Sequence, residues 1–167
     1  MRRLLAADPT LVMSVSATTR APRPSEREGV DYFFVSDPVF DRMIADGELL
    51  EWVRFAGHRS GTPARSVEER SAEGVDVVLV IDVEGARRIR DLRRDALLIF
   101  VEPPNVAELE RRLRARGTET EDAIEQRLEI ASREMGQREW FDHVVVNDDL
   151  ERAAAEVAAI IEGSRTP

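Results

Sequence analysis

The sequence predicts an α/β fold: a parallel, doubly wound sheet with helices on both faces. Three short runs are apolar and rich in β-branched residues, as strands buried on both faces of a parallel sheet are: residues 75–81, 96–101 and 143–147. Segments with helical periodicity separate these runs. The chain has 167 residues, which is the size of one domain, so we expect a single domain over residues 1–167.

The segments before the first of these runs are predicted from local signals. Residues 11–17 are apolar and β-prone, which predicts a strand that leads into a loop. Residues 36–47 contain a serine and an aspartate that can cap a helix, then Pro38 in the first turn and Gly47 at the end, which predicts a helix.

Residues 49–55 alternate in polarity, which predicts a strand with Leu50, Trp52 and Val53 available to the interior. The glycine-bounded residues 56–63 predict a turn, and residues 64–73 predict a short helix closed by a glycine.

The remaining helices are predicted at residues 84–94, 105–138 and 150–162. Within the second, the sequence RGTET predicts a break. The irregular segment from residue 18 to 62 predicts a small subdomain at the edge of the sheet where α/β proteins bind ligands.

Composition excludes several classes of protein. No apolar run approaches the ~20 residues of a membrane span, and no signal peptide is recognisable, so we expect a cytoplasmic protein. Cysteine is absent, and we expect no metal at the isolated His58 and His143. The net charge of −9 and the 5% aromatic content disfavour an RNA-binding or other nucleic-acid-binding domain. All 24 basic residues are arginine, so no lysine can anchor a phosphate.

Cations and hydroxyl groups are concentrated in the stretch SVSATTRAPRPSEREGVDYFFV, residues 14–35. Arg20 and Arg23 lie three residues apart in a loop rich in proline, and planar guanidinium groups suit bidentate contact with a phosphate. Further hydroxyl donors are available from Ser16, Thr18, Thr19 and Tyr32. The alternative is a solvated, charged loop.

Two carboxylates lie in apolar strands. Glu51 could accept N–H donors from a purine edge, or could belong to the polar face of an edge strand. Asp82 follows an apolar run, as the acid that organises Mg²⁺ on nucleotide phosphates does, but an aspartate that caps the next helix has the same pattern.

A third group of charges lies in residues 111–128. Arg112 and Arg116 share a helix face and Arg127 follows, so these arginines could neutralise charge on a transferring phosphoryl group. The alternative is a solvated helix with Glu–Arg pairs such as Glu108 with Arg112.

In this order the segments resemble the guanylate kinase family, whose members transfer the γ-phosphoryl group of ATP to GMP. Residues Thr18 to Tyr32 match the GMP-binding pattern T-[ST]-R-x-x-[RK]-x-x-[DE]-x-x-G-x-x-Y. The segments GELLEW, VIDVEGAR, LIFVEPP, RLRARGTET and VVVNDDL are similar to family segments in order and spacing, so the resemblance covers residues 2 to 162.

The resemblance implies a P-loop-kinase-like fold with a GMP-binding subdomain at about residues 14–63 and a helical lid at about residues 105–128. The implied GMP-binding residues are Arg20, Arg23 and Tyr32 for the phosphate, Glu26 to support these arginines, Ser16, Glu51 and Thr62 for the guanine, and Asp82 near the GMP and the metal. The implied ATP-binding residues are Arg112, Arg116 and Arg127 in the lid and Asn147 beside the adenine. Catalysis would depend on Arg20 and the three lid arginines, with Mg²⁺ as cofactor.

The sequence departs from the family pattern at three places. Arg59 and Ser60 stand where the family often has two tyrosines, one of which contacts the GMP phosphate; either could still donate a hydrogen bond. Val80 stands where an acid is frequent. The family's G-x-x-x-x-G-K-[ST] phosphate loop is not in the sequence.

We therefore expect the chain as written to be N-terminally truncated and inactive, without the first strand and the phosphate loop. The alternative is a non-catalytic guanylate-kinase-like module that binds GMP or a phosphorylated peptide. The choice between a monomer and a homo-oligomer stays open.

Overall fold

The computed structural model describes residues 1–55, 57–117 and 120–165, apart from the side chains of Arg2, Phe55 and Arg116. The described chain divides into two compact units. We call Leu5–Ala96 the N-terminal unit, and Leu97 onward together with Met1–Leu4 the C-terminal unit. The helices are α1 Arg2–Ala7, α2 Asp37–Ala45, α3 Ala64–Ala72, α4 Val83–Leu92, α5 Val106–Arg116, α6 Glu121–Met135 and α7 Leu150–Arg165, with a 3-10 helix at Arg138–Trp140. The strands are β1 Leu11–Met13, β2 Ser16–Thr18, β3 Tyr32–Phe34, β4 Leu49–Phe55, β5 His58–Pro63, β6 Asp76–Val78, β7 Ile99–Glu102 and β8 His143–Val146.

The N-terminal unit contains two ladders of strands. β1 pairs in parallel with β6, with Val12 opposite Val77. The second ladder has the order β3-β2-β5-β4, in which β2 and β3 are parallel and β5 is antiparallel to both of its neighbours. The predicted α/β class with parallel pairing is confirmed, but the strands are distributed over separate ladders in the part of the chain that is described.

The strand predicted over residues 11–17 is divided between these two ladders. β1 joins β6, while β2 joins β3 and β5. Ala17 and Thr18 in β2 are 0% and 2% exposed, because β2 is an interior strand of its ladder. The loop that begins after Thr18 therefore starts from a buried strand that is paired on both edges.

The turn predicted at residues 56–63 is wrong, because His58–Pro63 is strand β5. Its residues have low strand propensity, but pairing with β4 on one side and β2 on the other overrides it. Gly61 allows this close approach: a Cβ there would lie 2.8 Å from the Glu51 carbonyl oxygen and 2.9 Å from the Trp52 Cβ.

Helices α2, α3 and α4 occupy the predicted positions. In α2, Pro38 lies in the first turn and Phe40 is 0% exposed, edge-on to Trp52 with 6.5 Å between ring centroids. α3 packs against β6, and α4 packs against β4. α4 begins at a cap formed by Asp82, whose side chain accepts a hydrogen bond from the Gly85 N–H.

The C-terminal unit has a parallel pair, β7 and β8, with Val101 opposite Val145. α7 packs against β8, and α5 packs against α6. The predicted break between α5 and α6 is confirmed: Gly117 has a left-handed φ of 62°, and Thr120 caps α6.

The prediction that the three apolar runs are buried on both faces is wrong. Val80 is 65% exposed, Val101 52% and Val144 38%. Val80 lies after the end of β6, and Val101 and Val144 lie in the two-stranded ladder of β7 and β8, where pairing fills one edge of each strand and covers neither face. Within the described ranges, no helix combines the length and the apolar character that crossing a membrane requires.

Candidate functional site

The loop between β2 and β3 holds a guanidinium group between a carboxylate and a ring. One terminal nitrogen of Arg20 donates to both carboxylate oxygens of Glu26, at 2.8 and 3.0 Å, and the other donates to the Ala21 carbonyl oxygen at 2.7 Å. The Arg20 guanidinium carbon lies 5.4 Å from the centroid of the Tyr32 ring. Arg20 is thus held in one orientation at the exit of a buried strand.

Glu26 also binds the backbone of the loop between β2 and β3. It accepts a 2.7 Å hydrogen bond from the backbone N–H of Arg23. The Arg20 hydrogen bonds, then the Arg23 N–H bond, lower the pKa of the Glu26 carboxyl below its ordinary value. The Arg23 side chain is 59% exposed, with its guanidinium 3.9 Å from Glu26. The loop therefore presents one oriented, half-buried cation and one exposed cation beside the same carboxylate.

Strand register places Ser16 beside Tyr32. These two residues are paired in the parallel ladder of β2 and β3, so the hydroxyl residue and the phenol begin from neighbouring backbone positions. Tyr32 also stacks at a tilt on Phe34, with 5.8 Å between ring centroids. The predicted phosphate residues Arg20, Arg23 and Tyr32 and the predicted base residue Ser16 thus lie in one local arrangement.

A buried carboxylate lies in β4. Glu51 is 4% exposed, and its Oε1 accepts a 2.6 Å hydrogen bond from the Thr62 hydroxyl, which is opposite it in β5. Glu51 is therefore not on a solvated face, although β4 is the edge strand of its ladder. Burial raises the pKa of the Glu51 carboxyl above its ordinary value, and the negative charge of Asp82 acts in the same direction against the Thr62 hydrogen bond.

Such a carboxylate is an acceptor with unfilled capacity. Two carboxylate oxygens have about four acceptor positions, and the Thr62 hydroxyl is the one side-chain donor to Glu51 in the described part of the chain. A ligand with two adjacent N–H donors would match it.

Comparison with known proteins shows the family of the chain. The family model described as guanylate kinase matches residues 2–164. The chain is 50% identical to the guanylate kinase of Synechococcus sp. (strain CC9311) over 93% of this chain and 82% of that protein. It is 49% identical to the guanylate kinase of Rubrobacter xylanophilus over 96% of this chain and 84% of that protein. A crystal structure of guanylate kinase from Anaplasma phagocytophilum has a TM-score of 0.84 at 34% identity, covering 99% of this chain and 80% of that one.

The chain belongs to the guanylate kinase family. The resemblance found in the sequence is confirmed over nearly the whole of its length. The individual roles that it implies stay predictions, and the positions of the side chains either support or weaken each of them.

Arg59 does not present a donor to a phosphate. Its side chain is 7% exposed and donates to the carboxylates of Asp37 at 2.6 Å and Asp41 at 2.5 Å in α2, and its guanidinium carbon lies 4.8 Å from the centroid of the Phe40 ring. These aspartates raise the pKa of Arg59, with the Asp41 hydrogen bond contributing most. Arg59, one of the two residues that stand in place of the family's tyrosine pair, therefore anchors α2 to β5.

Ser60 and the threonines are also committed to structure. The Ser60 hydroxyl donates to the Thr18 Oγ1 at 3.0 Å, and Thr18 in turn donates to the Arg59 carbonyl oxygen at 2.9 Å. The Arg59 N–H donates to the Thr19 Oγ1 at 3.0 Å. The expectation that Thr18 offers its hydroxyl to a ligand is wrong here, because that hydroxyl holds β2 and β5 together just before Arg20.

In the C-terminal unit, the predicted ATP residues Arg112 and Asn147 lie together. Arg112 donates to Glu108 at 2.7 Å, to the Asn147 carbonyl oxygen at 2.9 Å and to the Asp148 carbonyl oxygen at 3.4 Å. The pair of Arg112 with Glu108 is the one expected of a solvated helix. Hydrogen bonds from Arg111, then from Arg112, lower the pKa of the Glu108 carboxyl to about 2.

The other two predicted lid arginines are described by their positions in the chain. Arg127 lies on α6 and is half-buried. The side chain of Arg116, at the end of α5, lies outside the described residues.

The donor set does not build a resident cation site. Among the described residues, no three histidine, aspartate or glutamate side chains are grouped so that they could hold a metal ion. One oxygen of Asp82 accepts the Gly85 N–H at 2.7 Å, so this carboxylate is partly used as a helix cap. These residues suit a magnesium ion that arrives on nucleotide phosphates and keeps most of its water.

Proposed function

We propose that the N-terminal unit binds GMP and that the chain transfers the γ-phosphoryl group of ATP to this GMP, giving ADP and GDP. The observation that carries the proposal is the presence, in one compact unit, of an oriented arginine and a buried carboxylate acceptor. The two ends of a purine monophosphate need these two groups.

For the phosphate end, the support comes from the Glu26-centred loop. Arg20 is oriented by Glu26 and by the Tyr32 ring, so little side-chain entropy remains to be lost when it binds a dianion. Arg23, being exposed, would close on the phosphate from the same loop, and the Tyr32 hydroxyl would add a neutral donor. Ionised Glu26 stabilises the clamp without neutralising it, since two cations share one anion.

For the base end, the support is the buried, ionisable Glu51. Guanine has a ring N–H and an adjacent amino group, and both can donate to one carboxylate. Adenine has an acceptor at the ring nitrogen, so it would leave one carboxylate oxygen buried without a donor. A site built on hydrogen bonds discriminates strongly in such a case. Thr62 would orient Glu51, and Ser16 and Asp82 would complete the base site.

For the transfer step, we assign charge neutralisation to arginines. Arg20 would hold the acceptor phosphate in place, and Arg112, Arg116 and Arg127 would offset the charge that develops on the transferring group. Asn147 would lie beside the adenine of ATP. Magnesium bound to the ATP phosphates supplies further positive charge at the reacting group.

A second candidate function, a non-catalytic module that binds GMP, has one observation in its favour. The guanidinium group of Arg112 is already bonded to Glu108 and to two backbone carbonyl oxygens. In this arrangement three of its five N–H donors are used within the C-terminal unit, which is a structural role. A cytoplasmic location and the absence of nucleic-acid and membrane partners stay predictions from the sequence.

Calorimetric titration tests the proposal and separates the candidates. We expect saturable GMP binding at one site, with AMP at least about a hundredfold weaker, as is typical of sites that hydrogen-bond their substrate. ATP-dependent formation of GDP in a coupled assay would assign the enzyme, and GMP binding with no GDP formation would assign the binding module. Equal affinity for GMP and AMP, or binding of neither, would reject both.

A further inference from the structure

The first turn of α4 brings two carboxylates against one glycine. Gly85 is buried, and its N–H donates to the Asp82 Oδ1 at 2.7 Å. A Cβ built on Gly85 would lie 2.9 Å from the Glu51 Oε2, 3.3 Å from the Glu51 Cδ and 3.1 Å from the Asp82 Oδ1. A side chain at this position would therefore occupy the space in which the Glu51 carboxylate lies.

Backbone conformation does not explain this glycine. Gly85 lies within helix α4 and is not among the glycines with positive φ in the described residues. Alanine is favoured over glycine inside a helix. In α7, by contrast, a Cβ built on Gly163 would meet no atom within 4 Å. The two helical glycines thus differ in their surroundings: the carboxylates of Glu51 and Asp82 lie beside Gly85, and Glu51 is the nearer.

The clash with alanine cannot be relieved without cost. Glu51 is 4% exposed and bonded to Thr62 at 2.6 Å, so displacing its carboxylate would strain or break that buried hydrogen bond. Moving α4 instead would disturb its packing on β4 and the Asp82 cap. Either response changes the position of the carboxylate relative to Thr62 and Asp82.

We propose that Gly85 is a specificity-determining positioning residue. Because it has no side chain, the Glu51 carboxylate can lie against α4, in the position where a guanine edge can donate to it. This inference rests on the proposed recognition of GMP by Glu51. Gly85 itself acts through Glu51 and supplies no group to the ligand.

The test compares Gly85→Ala with the matched control Gly163→Ala, each in the parent and in a Glu51→Ala background. In the parent background, Gly85→Ala should weaken GMP binding about ten- to a hundredfold, as the loss of one charged hydrogen bond does, and leave the much weaker AMP binding unchanged. Gly163→Ala should leave both affinities unchanged. A role in packing alone would not change the ratio of GMP to AMP affinity.

Thermal unfolding without nucleotide tests the contact between position 85 and the Glu51 carboxylate independently of binding. Gly85→Ala should lower the melting temperature of the parent much more than that of the Glu51→Ala chain, where the nearest contact is removed and the Asp82 Oδ1 remains 3.1 Å from the new Cβ. If Gly85→Ala does not fold, Gly85→Ala combined with Glu51→Ala should restore folding.

Three results would overturn the inference: unchanged GMP selectivity in Gly85→Ala, a melting-temperature loss that is equally large without Glu51, or a double variant that stays unfolded. Failure of the proposed function is distinguishable, because the parent would then not bind GMP selectively while the unfolding comparison would still report on the contact between Gly85 and Glu51.

Discussion

Replacing Glu51 with glutamine removes the negative charge of the buried acceptor and keeps the size of its side chain. The Thr62 hydroxyl can still donate to the glutamine carbonyl oxygen, as it does to the Glu51 Oε1. The second carboxylate oxygen, however, becomes an amide nitrogen that donates. A guanine edge with two donors then faces one occupied acceptor and one donor.

The size of the effect follows from burial. Because Glu51 is 4% exposed, water cannot replace the hydrogen bonds that a base loses. A hydrogen bond to a charged group contributes about 1.5–3 kcal/mol, and an unpaired donor adds a further cost. We expect GMP affinity to fall by about 2–4 kcal/mol, roughly 30- to 900-fold. AMP affinity should be unchanged or higher, since the amide presents the donor and acceptor that adenine needs.

Calorimetry with GMP and AMP measures both changes. Glu48→Gln is the matched control, because Glu48 is exposed on the same segment of chain and its replacement makes the same change in net charge. An unchanged ratio of GMP to AMP affinity in Glu51→Gln, or an equal change in Glu48→Gln, would refute the assignment of Glu51 to the base.

The same variant should be more stable than the parent near neutral pH. Burial raises the pKa of Glu51 above the ordinary 4.5, so the folded chain binds this proton more tightly than the unfolded chain does. The resulting stability is fully present below pH 4.5 and is lost as the pH rises through the raised pKa. The melting-temperature advantage of Glu51→Gln should therefore grow as the pH rises from 4.5 towards neutrality, and an advantage that shrinks over this range would contradict the burial argument.

Three further predictions follow from the same site. Arg20→Ala should weaken GMP and AMP binding alike, by about 1.5–3 kcal/mol or roughly ten- to a hundredfold, and unchanged calorimetric affinity would remove Arg20 from the phosphate site. Arg59→Ala should lower the melting temperature because α2 loses its anchor, whereas Arg65→Ala, at an 89% exposed side chain, should not; equal effects would refute the anchoring role. The GMP affinity of the parent should fall as the pH drops through the raised pKa of Glu51, relative to the Glu51→Gln variant, in which this group no longer titrates; parallel pH profiles would contradict this.

Local sequence signals predicted the elements whose causes are local. The caps, prolines and glycines of α2, α3 and α6 are visible in the sequence, and so is the break at Gly117. The contacts of Glu26 in the loop between β2 and β3 are also local, because its partners Arg20 and Arg23 precede it by only six and three residues.

Features that depend on distant pairing were not predictable. β5 has weak strand propensity and forms because β4 and β2 pair with it. Burial of Glu51 in place of its apolar neighbours depends on Thr62 and on the space beside Gly85. Val80 lies in a run whose composition resembles that of a fully buried strand, yet it is 65% exposed, since composition does not show which strands flank it.

Arg59 illustrates the same limit for the site. In the sequence it is one more arginine beside a glycine, available to a phosphate. Its partners Asp37 and Asp41 precede it by 22 and 18 residues, and only the folded arrangement of α2 on β5 shows that they bind its guanidinium group. Two aspartates four residues apart on a predicted helix were the signal that could have suggested such a partner.

A crystal structure of the chain with GMP tests the central claim most directly. The account predicts the phosphate within hydrogen-bonding distance of the Arg20 and Arg23 guanidinium groups and the Tyr32 hydroxyl, with the ring N–H and amino group of guanine on the Glu51 carboxylate. A GMP phosphate bound away from Arg20, or a guanine edge that makes no contact with Glu51, would contradict it.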